Sequence, residues 1–375
     1  MMAVKVINAK ELHEKIEKGV VILDVRNPED YQEWKIEGKN LTSLNIPYFD
    51  FLEENDEVFA QLPNDEEIVV ICAKGGSAQM VAEILDEKGY NVSYLEKGMQ
   101  EWSQFYHPAT VVTEERLKLI QVNRLAKGCL SYMVISEGQA LVVDPNRHID
   151  EYLTLAEKEN ATIAHVIDTH LHADHISGGH ELAEKTGATY YISSSEMQGS
   201  HLRYEPLENH KRLQFGAVEV QVIAVPTPGH TPGSVSILVN DKYLLSGDTI
   251  FVGGLGRPDL GGKAREWAQS LYDTVFKTIA NLSDDVLVLP SHYADIKEIN
   301  EGGYVGARLG DIRKRNEIMR TEDREQFTEM VTGTVGATPP NYEEIVEINR
   351  GTVEVSAEKA TELEIGPNRC ALHHA

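Results

Sequence analysis

The chain has 375 residues, with 35 lysines and arginines against 60 acidic residues, a net charge of −25 and a pI near 4.9. That balance argues against nucleic acid as a partner, because gripping phosphates needs a basic face. Hydrophobic content of 41% and charged content of 25% are ordinary for globular protein, and the length predicts two or three domains. No stretch approaches the roughly 20 apolar residues of a membrane helix. The opening "MMAVKVINAKELHEKIEKG" is charged from Lys5 onward and lacks the apolar segment of a signal peptide, so no membrane partner and a cytoplasmic location are expected. Cys72, Cys129 and Cys370 are an odd number at wide spacing, which is no disulfide framework and fits a reducing compartment.

From about residue 4 to 105, short apolar strands alternate with helical stretches. "VVILDV" (20–25), "EIVVIC" (67–72) and "VSYL" (92–95) read as buried strands. "SAQMVAEILDEKG" (77–89) has helical spacing, with Gly89 as its stop. Alternation of this kind predicts a parallel α/β sheet. Cys72 falls at a strand end, ahead of a glycine-containing loop and a helix. Backbone N–H groups in such a loop converge on an anion, and the helix N-terminus adds positive potential. That environment lowers a thiol pKa and stabilises a thiolate or a persulfide.

The pieces "ILDVRNPEDYQEWKIEG", "NIP", "ICAKGG" and "YLEKGMQEW" together resemble a rhodanese domain over nearly its whole length. The resemblance implies that Cys72 is a sulfur-carrying nucleophile cycling between thiol and persulfide. Lys74, Gly75 and Gly76 are its expected substrate-binding residues. Asp24 and Arg26 match the family's "DVR" and are expected to stabilise the fold. In one respect the loop departs from the family: the arginine often found five residues after the cysteine is Ser77 here. Lys74 and the backbone would have to compensate.

"FYHPATVVTEERLKLI" (105–120) reads as a connection, with Pro108 breaking any helix. From about 132 to 292, strands such as "YMVIS", "QALVVDP", "TYYIS", "VEVQVIAV" and "VLVLPSH" follow at short intervals. Helices such as "EWAQSLYDTVFKTIANL" (266–282) lie between them. This texture predicts two sheets packed face to face and covered by helices. From about 300 the chain turns polar and helical, with Pro339-Pro340 further on, and the last 25 residues read as a tail. The expected domains are therefore 1–107, 112–300 and an extension with tail over 301–375.

"THLHADH" puts His170, His172, Asp174 and His175 directly after the strand "AHVIDT". His230 in "PTPGHTPGS", Asp248 in "LLSGDTIFVGG" and His292 in "VLPSHYA" each follow an apolar strand as well. Neutral imidazoles with carboxylates favour zinc, iron or manganese over calcium or magnesium. Cys129 is expected to be a small core residue, Cys370 an exposed thiol of the tail, and His373-His374 part of the tail.

"THLHADH", "PGHT", "SGDTIF" and "SH" in this order resemble the metallo-β-lactamase fold superfamily over roughly residues 115–300. The resemblance implies an αββα sandwich with the site at one edge of the sheets. The superfamily contains two-metal hydrolases such as glyoxalase II and one-iron persulfide dioxygenases, and all seven side chains suit both. Two metals about 3.5–4 Å apart would share Asp248 and a hydroxide. A single Fe(II) would take His170, His230 and Asp248, two histidines and one carboxylate on one face. His172, Asp174, His175 and His292 would then orient ligands by hydrogen bonds. "GGLGRPDLGG" resembles the Gly-Arg-x-Asp segment of the dioxygenases. In it, Arg257 and Asp259 are expected either to bind substrate or to pair with each other.

A rhodanese partner suits a persulfide dioxygenase, because sulfite from one site is an acceptor for the sulfur of the other. The expectation is therefore a bifunctional enzyme with one Fe(II) per chain. Its substrates would be a persulfide of glutathione, coenzyme A or bacillithiol, O₂, and sulfite or thiosulfate, and a homo-oligomer is expected. The alternative is a dinuclear zinc thioester hydrolase of the glyoxalase II kind.

Overall fold

The computed structural model describes residues 4–53, 56–210, 212–216, 218–220, 224–259, 261–333 and 341–367. The chain forms two compact units. One holds the residues up to Tyr106 with Arg124–Lys127 and Ile365–Pro367; the other holds His107–Asn123 and Gly128–Glu364. Pro339, Pro340, Cys370, His373 and His374 lie outside the described residues. Among the described residues no helix is long and apolar enough to cross a membrane.

The first unit runs β1 (Lys5–Ile7), α1 (Ala9–Lys18), β2 (Val20–Asp24), α2 (Pro28–Glu33), β3 (Leu41–Asn45), α3 (Tyr48–Leu52), α4 (Asp56–Phe59), β4 (Ile68–Ile71), α5 (Gly76–Glu87), β5 (Val92–Leu95) and α6 (Gly98–Trp102). Its five strands form a parallel sheet in the order β1-β5-β4-β2-β3. The apolar runs of β2 and β4 are continuous because both faces are covered. Val21, Leu23, Ile68 and Val70 join one core, while Val20, Ile22, Val69 and Ile71 join the other. That is the two-residue alternation of a strand. Helix α5 buries Ala78, Val81, Ala82 and Leu85, one stripe at helical spacing, on the first of these cores. Asn8 and Glu11 close a capping box at the start of α1.

The second unit runs β6 (Tyr106–Thr113), β7 (Lys118–Arg124), β8 (Cys129–Ser136), β9 (Gln139–Val143), α7 (Ile149–Lys158), β10 (Thr162–Ile167), α8 (Gly179–Thr186), β11 (Thr189–Ile192), β12 (Glu205–Pro206), β13 (Leu213–Phe215), β14 (Val218–Val220), β15 (Ala224–Pro226), β16 (Val235–Val239), β17 (Tyr243–Gly247), α9 (Ala264–Asp273), β18 (Leu287–Pro290), β19 (Ala307–Arg308), α10 (Leu309–Arg315), α11 (Arg324–Gly333), α12 (Tyr342–Asn349) and α13 (Ala357–Leu363). A seven-stranded sheet has the order β12-β11-β10-β9-β8-β7-β6, and a five-stranded sheet β15-β16-β17-β18-β19.

Leu119, Tyr132, Leu141 and Ile167 of the first sheet share a core with Val235, Ile237, Leu245 and Leu289 of the second, so the sheets lie face to face. The outer face of the second sheet, Leu238, Leu244 and Val288, is covered by α9, α10 and α11 through Leu271, Ile312 and Phe327.

Three stretches differ from the sequence expectation. Residues 105–120 are not a connection but carry β6 and the start of β7. Pro108 is accommodated because β6 is an edge strand, where a missing N–H interrupts no ladder. The run "VEVQVIAV" supplies two strands, β14 and β15, in different sheets. The helix expected over 266–282 is α9, followed by a π-helical turn at Thr274–Thr278 and a 3₁₀ turn at Ile279–Asn281. At that change of pitch Thr274 Oγ1 donates to the Pro228 carbonyl (2.8 Å), on the loop that carries His230.

Candidate metal centre and cysteine loop

Four strand ends supply the metal-type side chains. The loop after β10 carries His170, His172, Asp174 and His175; the loops after β15, β17 and β18 carry His230, Asp248 and His292. All seven side chains are buried, at 3% exposure or less. Three groups bring ligand atoms within 4.8 Å of one another: His170, His230 and Asp248; Cys129, Asp174, His175 and His292; and Asp144, Asp168 and His172. Asp248 Oδ2 is 3.7 Å from His170 Nε2 and 3.5 Å from His230 Nε2. Two ligands on one ion, each about 2.1 Å from it, sit roughly 3–3.5 Å apart, so the spacing suits a common metal.

The tautomers point the same way. His230 Nδ1 donates to the Arg257 carbonyl (2.9 Å). Thr169 Oγ1 donates to Asp144 Oδ2 (2.9 Å) and therefore accepts from His170 Nδ1 (3.0 Å). In both rings the Nε2 lone pair is left facing Asp248. Burial, with His172 and His230 nearby, holds His170 well below the usual imidazole range, in the neutral form a metal requires. His170 Nε2, His172 Nε2, His175 Nε2 and Asp248 Oδ2 are buried without a hydrogen-bond partner among the described residues. Orphaned polar atoms of this kind are costly, and His170 Nε2 facing Asp248 Oδ2 without a partner fits a cation between them.

Of the remaining residues, Asp174, His175 and His292 are bonded in one cluster. His292 Nδ1 lies 2.6 Å from Asp248 Oδ1, and its Nε2 2.9 Å from Asp174 Oδ2. Burial opposes its charge, but Asp174 and Asp248 prevail and hold it well above its usual range. Each of its ring nitrogens thus faces a carboxylate oxygen. His175 Nδ1 bonds Asp174 Oδ1 (3.1 Å); against burial, Asp174 pushes it up to about 10. Cys129, a buried free thiol, lies in this cluster with its Sγ 3.3 Å from Asp174 Oδ2. His172 turns elsewhere, its Nε2 3.3 Å from Asp144 Oδ1 and 3.9 Å from Asp168 Oδ1. Asp144 also accepts from Thr169 N (2.7 Å) and Ser291 Oγ (2.5 Å), so it fastens two metal loops.

Arg257 pairs bidentately with Asp259, at 2.8 and 2.7 Å, and is 3% exposed. The structure shows the expected pairing, and the Arg257 carbonyl orients His230. Gly256 must be glycine, because a Cβ there would sit 1.9 Å from the Asp248 carbonyl. A cavity of about 530 Å³ opens beside His230, lined by Leu171, Glu196, Trp267, Tyr342, Val346 and Arg350 among others. Glu196 accepts from Leu171 N (3.2 Å) and Gly233 N (2.5 Å), tying together the loops of His170 and His230.

In the first unit Cys72 follows β4 and is 6% exposed. Gly75 N donates to Cys72 Sγ (3.1 Å), a backbone donor aimed at the sulfur. Gly75 takes φ +97°, and a Cβ there would fall 1.8 Å from the Glu96 carbonyl. Met99 N holds the Cys72 carbonyl (2.8 Å) and Gln100 N the Ala73 carbonyl (3.1 Å), so α6 braces the loop. A cavity of about 440 Å³ is lined by Cys72, Lys74, Gly76 and Ser77 with Arg26, Asp30, Tyr48 and Phe49. The Arg26 guanidinium is bound to Asp24 and to the Trp34 carbonyl (both 2.6 Å), the fold-stabilising role expected of the pair.

Asp144, Asp168, Glu196, Asn349 and Glu364 were not anticipated as parts of the site. Asp144 and Asp168 had a signal, their places at the ends of the strand runs "QALVVDP" and "AHVIDT".

The sequence pattern of the Metallo-beta-lactamase superfamily matches residues 125–292, and that of the Rhodanese-like domain residues 8–105. Over 193 residues the chain is 30% identical to the probable metallo-hydrolase YqgX of Bacillus subtilis, spanning 46% of this chain and 88% of that protein. Over 156 residues it is 29% identical to the mitochondrial persulfide dioxygenase ETHE1 of Bos taurus, spanning 41% of this chain and 59% of that protein. The solved structure of ETHE1 from Myxococcus xanthus is similar at a TM-score of 0.52 and 25% identity, covering 66% of this chain and 98% of that one. Fold, ligand-type side chains and these likenesses agree: the chain belongs to the metallo-beta-lactamase superfamily and carries a rhodanese-like domain ahead of its metal-binding half.

Proposed function

We propose that the chain is a bifunctional sulfur-metabolism enzyme of a reducing cytoplasm. One half is an iron-dependent persulfide dioxygenase with its metal on His170, His230 and Asp248. The other is a rhodanese sulfurtransferase working through Cys72. The observation that carries this reading is the division of the seven ligand-type side chains. Two imidazoles and one carboxylate form a set of their own, whereas both ring nitrogens of His292 lie within hydrogen-bond distance of carboxylates, Asp248 and Asp174. Two histidines and a carboxylate are the ligand set of non-haem iron oxygenases, and such an iron, when bound, would leave positions open for a substrate sulfur and O₂.

The chain's residues supply the rest. The cavity beside His230 receives a low-molecular-weight thiol persulfide of the glutathione, coenzyme A or bacillithiol type, with its sulfur toward His230. His292 keeps Asp248 and Asp174 ionised and fixed. In the overall reaction the persulfide, O₂ and water give the thiol, sulfite and two protons. At Cys72 a persulfide passes its outer sulfur to sulfite, giving thiosulfate and the Cys72 thiolate, with Gly75 N–H turned to the sulfur throughout.

A dinuclear zinc thioester hydrolase is the second reading. It draws on the unpartnered His172 and His175 nitrogens and on the likeness to a probable metallo-hydrolase. Metal content of protein expressed with both metals supplied separates the two. One iron per chain is expected, and two zincs per chain with thioester hydrolysis would overturn the dioxygenase.

A further inference from the structure

Helix α12 reaches the metal loop through a buried amide. Asn349, buried at 8% exposure, donates from Nδ2 to the carbonyls of His172 (2.8 Å) and His175 (2.9 Å). Its Oδ1 accepts from Ser177 N (2.8 Å). One amide thus uses two donors and an acceptor on three backbone groups of a six-residue stretch. Next along the loop, Ile176 N donates to Glu364 Oε1 (2.8 Å), whose Oε2 accepts from Arg147 Nε (2.8 Å). Ile345 of α12 packs on Ile176, with Ala360 and Leu363 of α13 beside it. The stretch that carries His172, Asp174 and His175 therefore takes its backbone support from the last turn of α12 and from the residue after α13.

The same helix is a wall of the cavity beside His230. Tyr342, Val346 and Arg350 line that cavity. Positions 342, 346, 349 and 350 follow helical spacing along one stripe, so the amide belongs to the cavity-lining face. Asparagine is otherwise a weak choice in a helix, because its side chain competes for backbone hydrogen bonds. Here it satisfies loop backbone instead.

We propose that Asn349 is a positioning residue of the metal centre, through which α12 fixes the backbone bearing His172, Asp174 and His175. The proposal rests on the metal-centre reading, and on neither the choice of metal nor the reaction. Its test is Co(II) titration of the metal-free full chain, following the visible absorption bands of the bound ion. Asn349→Ala should weaken Co(II) binding by about 10- to 100-fold, the usual loss on removing an outer partner, and should alter the bands. Asn349→Asp keeps the acceptor for Ser177 N but sets an oxygen against both carbonyls. It should lose as much, and it carries the comparison if the alanine variant does not fold. Native affinity and native bands in the variants, with only a lower melting temperature, would overturn the proposal while leaving the metal centre intact. A native chain that takes up no Co(II) would overturn the metal reading and the proposal together.

Discussion

The cysteine loop comes from one continuous piece of chain; the metal centre is assembled from four strand ends and a C-terminal helix. Cys72 to Gly76 are consecutive, and their bracing comes from the nearby α6. His170 and His292 are 122 positions apart, and Asn349 lies further on again. The first arrangement forms once a single strand–loop–helix unit is in place. The second exists only when two sheets have packed and the C-terminal helices have docked, so its precision rests on long-range contacts. The contrast teaches that the cysteine site is sensitive chiefly to its own few residues, whereas the metal site responds to changes far away in sequence.

The largest expected effect is at the set of His170, His230 and Asp248. His170→Ala should abolish both metal retention and oxygen uptake, a greater loss than the roughly 10- to 100-fold that follows removal of an outer partner. Metal analysis after gel filtration checks it, and full retention would break the assignment. Cys72→Ser should eliminate thiosulfate formation while oxygen uptake and metal content stay native, which checks that the two sites are separate. Coupled loss of both would break the comparison. His292→Gln removes an imidazole held between two carboxylates. It should weaken metal binding by about 10- to 100-fold without emptying the site; complete loss would make His292 a ligand instead.

The smallest effect is a pH dependence. Asp174 holds His175 up at about 10 from an ordinary 6.5, against burial, so the folded protein keeps a proton that the unfolded chain releases. That contribution to stability is complete below about pH 6.5 and is lost as the pH rises towards 10. Metal-free protein should therefore melt at progressively lower temperature across that window. Metal affinity should move the opposite way, since binding needs unprotonated imidazoles. Calorimetry with and without metal checks both slopes.

Much of this was legible in the sequence. β2, β4 and β5 could be read from apolar runs, α5 from its spacing, and the seven ligand-type residues from their crowding or their places at strand ends. What escaped has a common cause. Asn349 and Glu364 gain meaning only when a distant helix docks on the metal loop. Cys129 looks like any small buried residue until β8 brings it opposite His292. The grouping of the ligand-type side chains depends on which way each imidazole turns, and spacing does not encode that. Residues 105–120 were misjudged because a proline that forbids a central strand is tolerated at an edge.

The most direct test of the central claim is oxygen uptake by the iron-loaded chain on addition of glutathione persulfide, with coenzyme A and bacillithiol persulfides in parallel and sulfite and thiosulfate assayed at the end. The account predicts rapid uptake with at least one of them and sulfur oxyanions as products. No uptake with any of the three, alongside hydrolysis of a glutathione thioester by zinc-loaded protein, would contradict it.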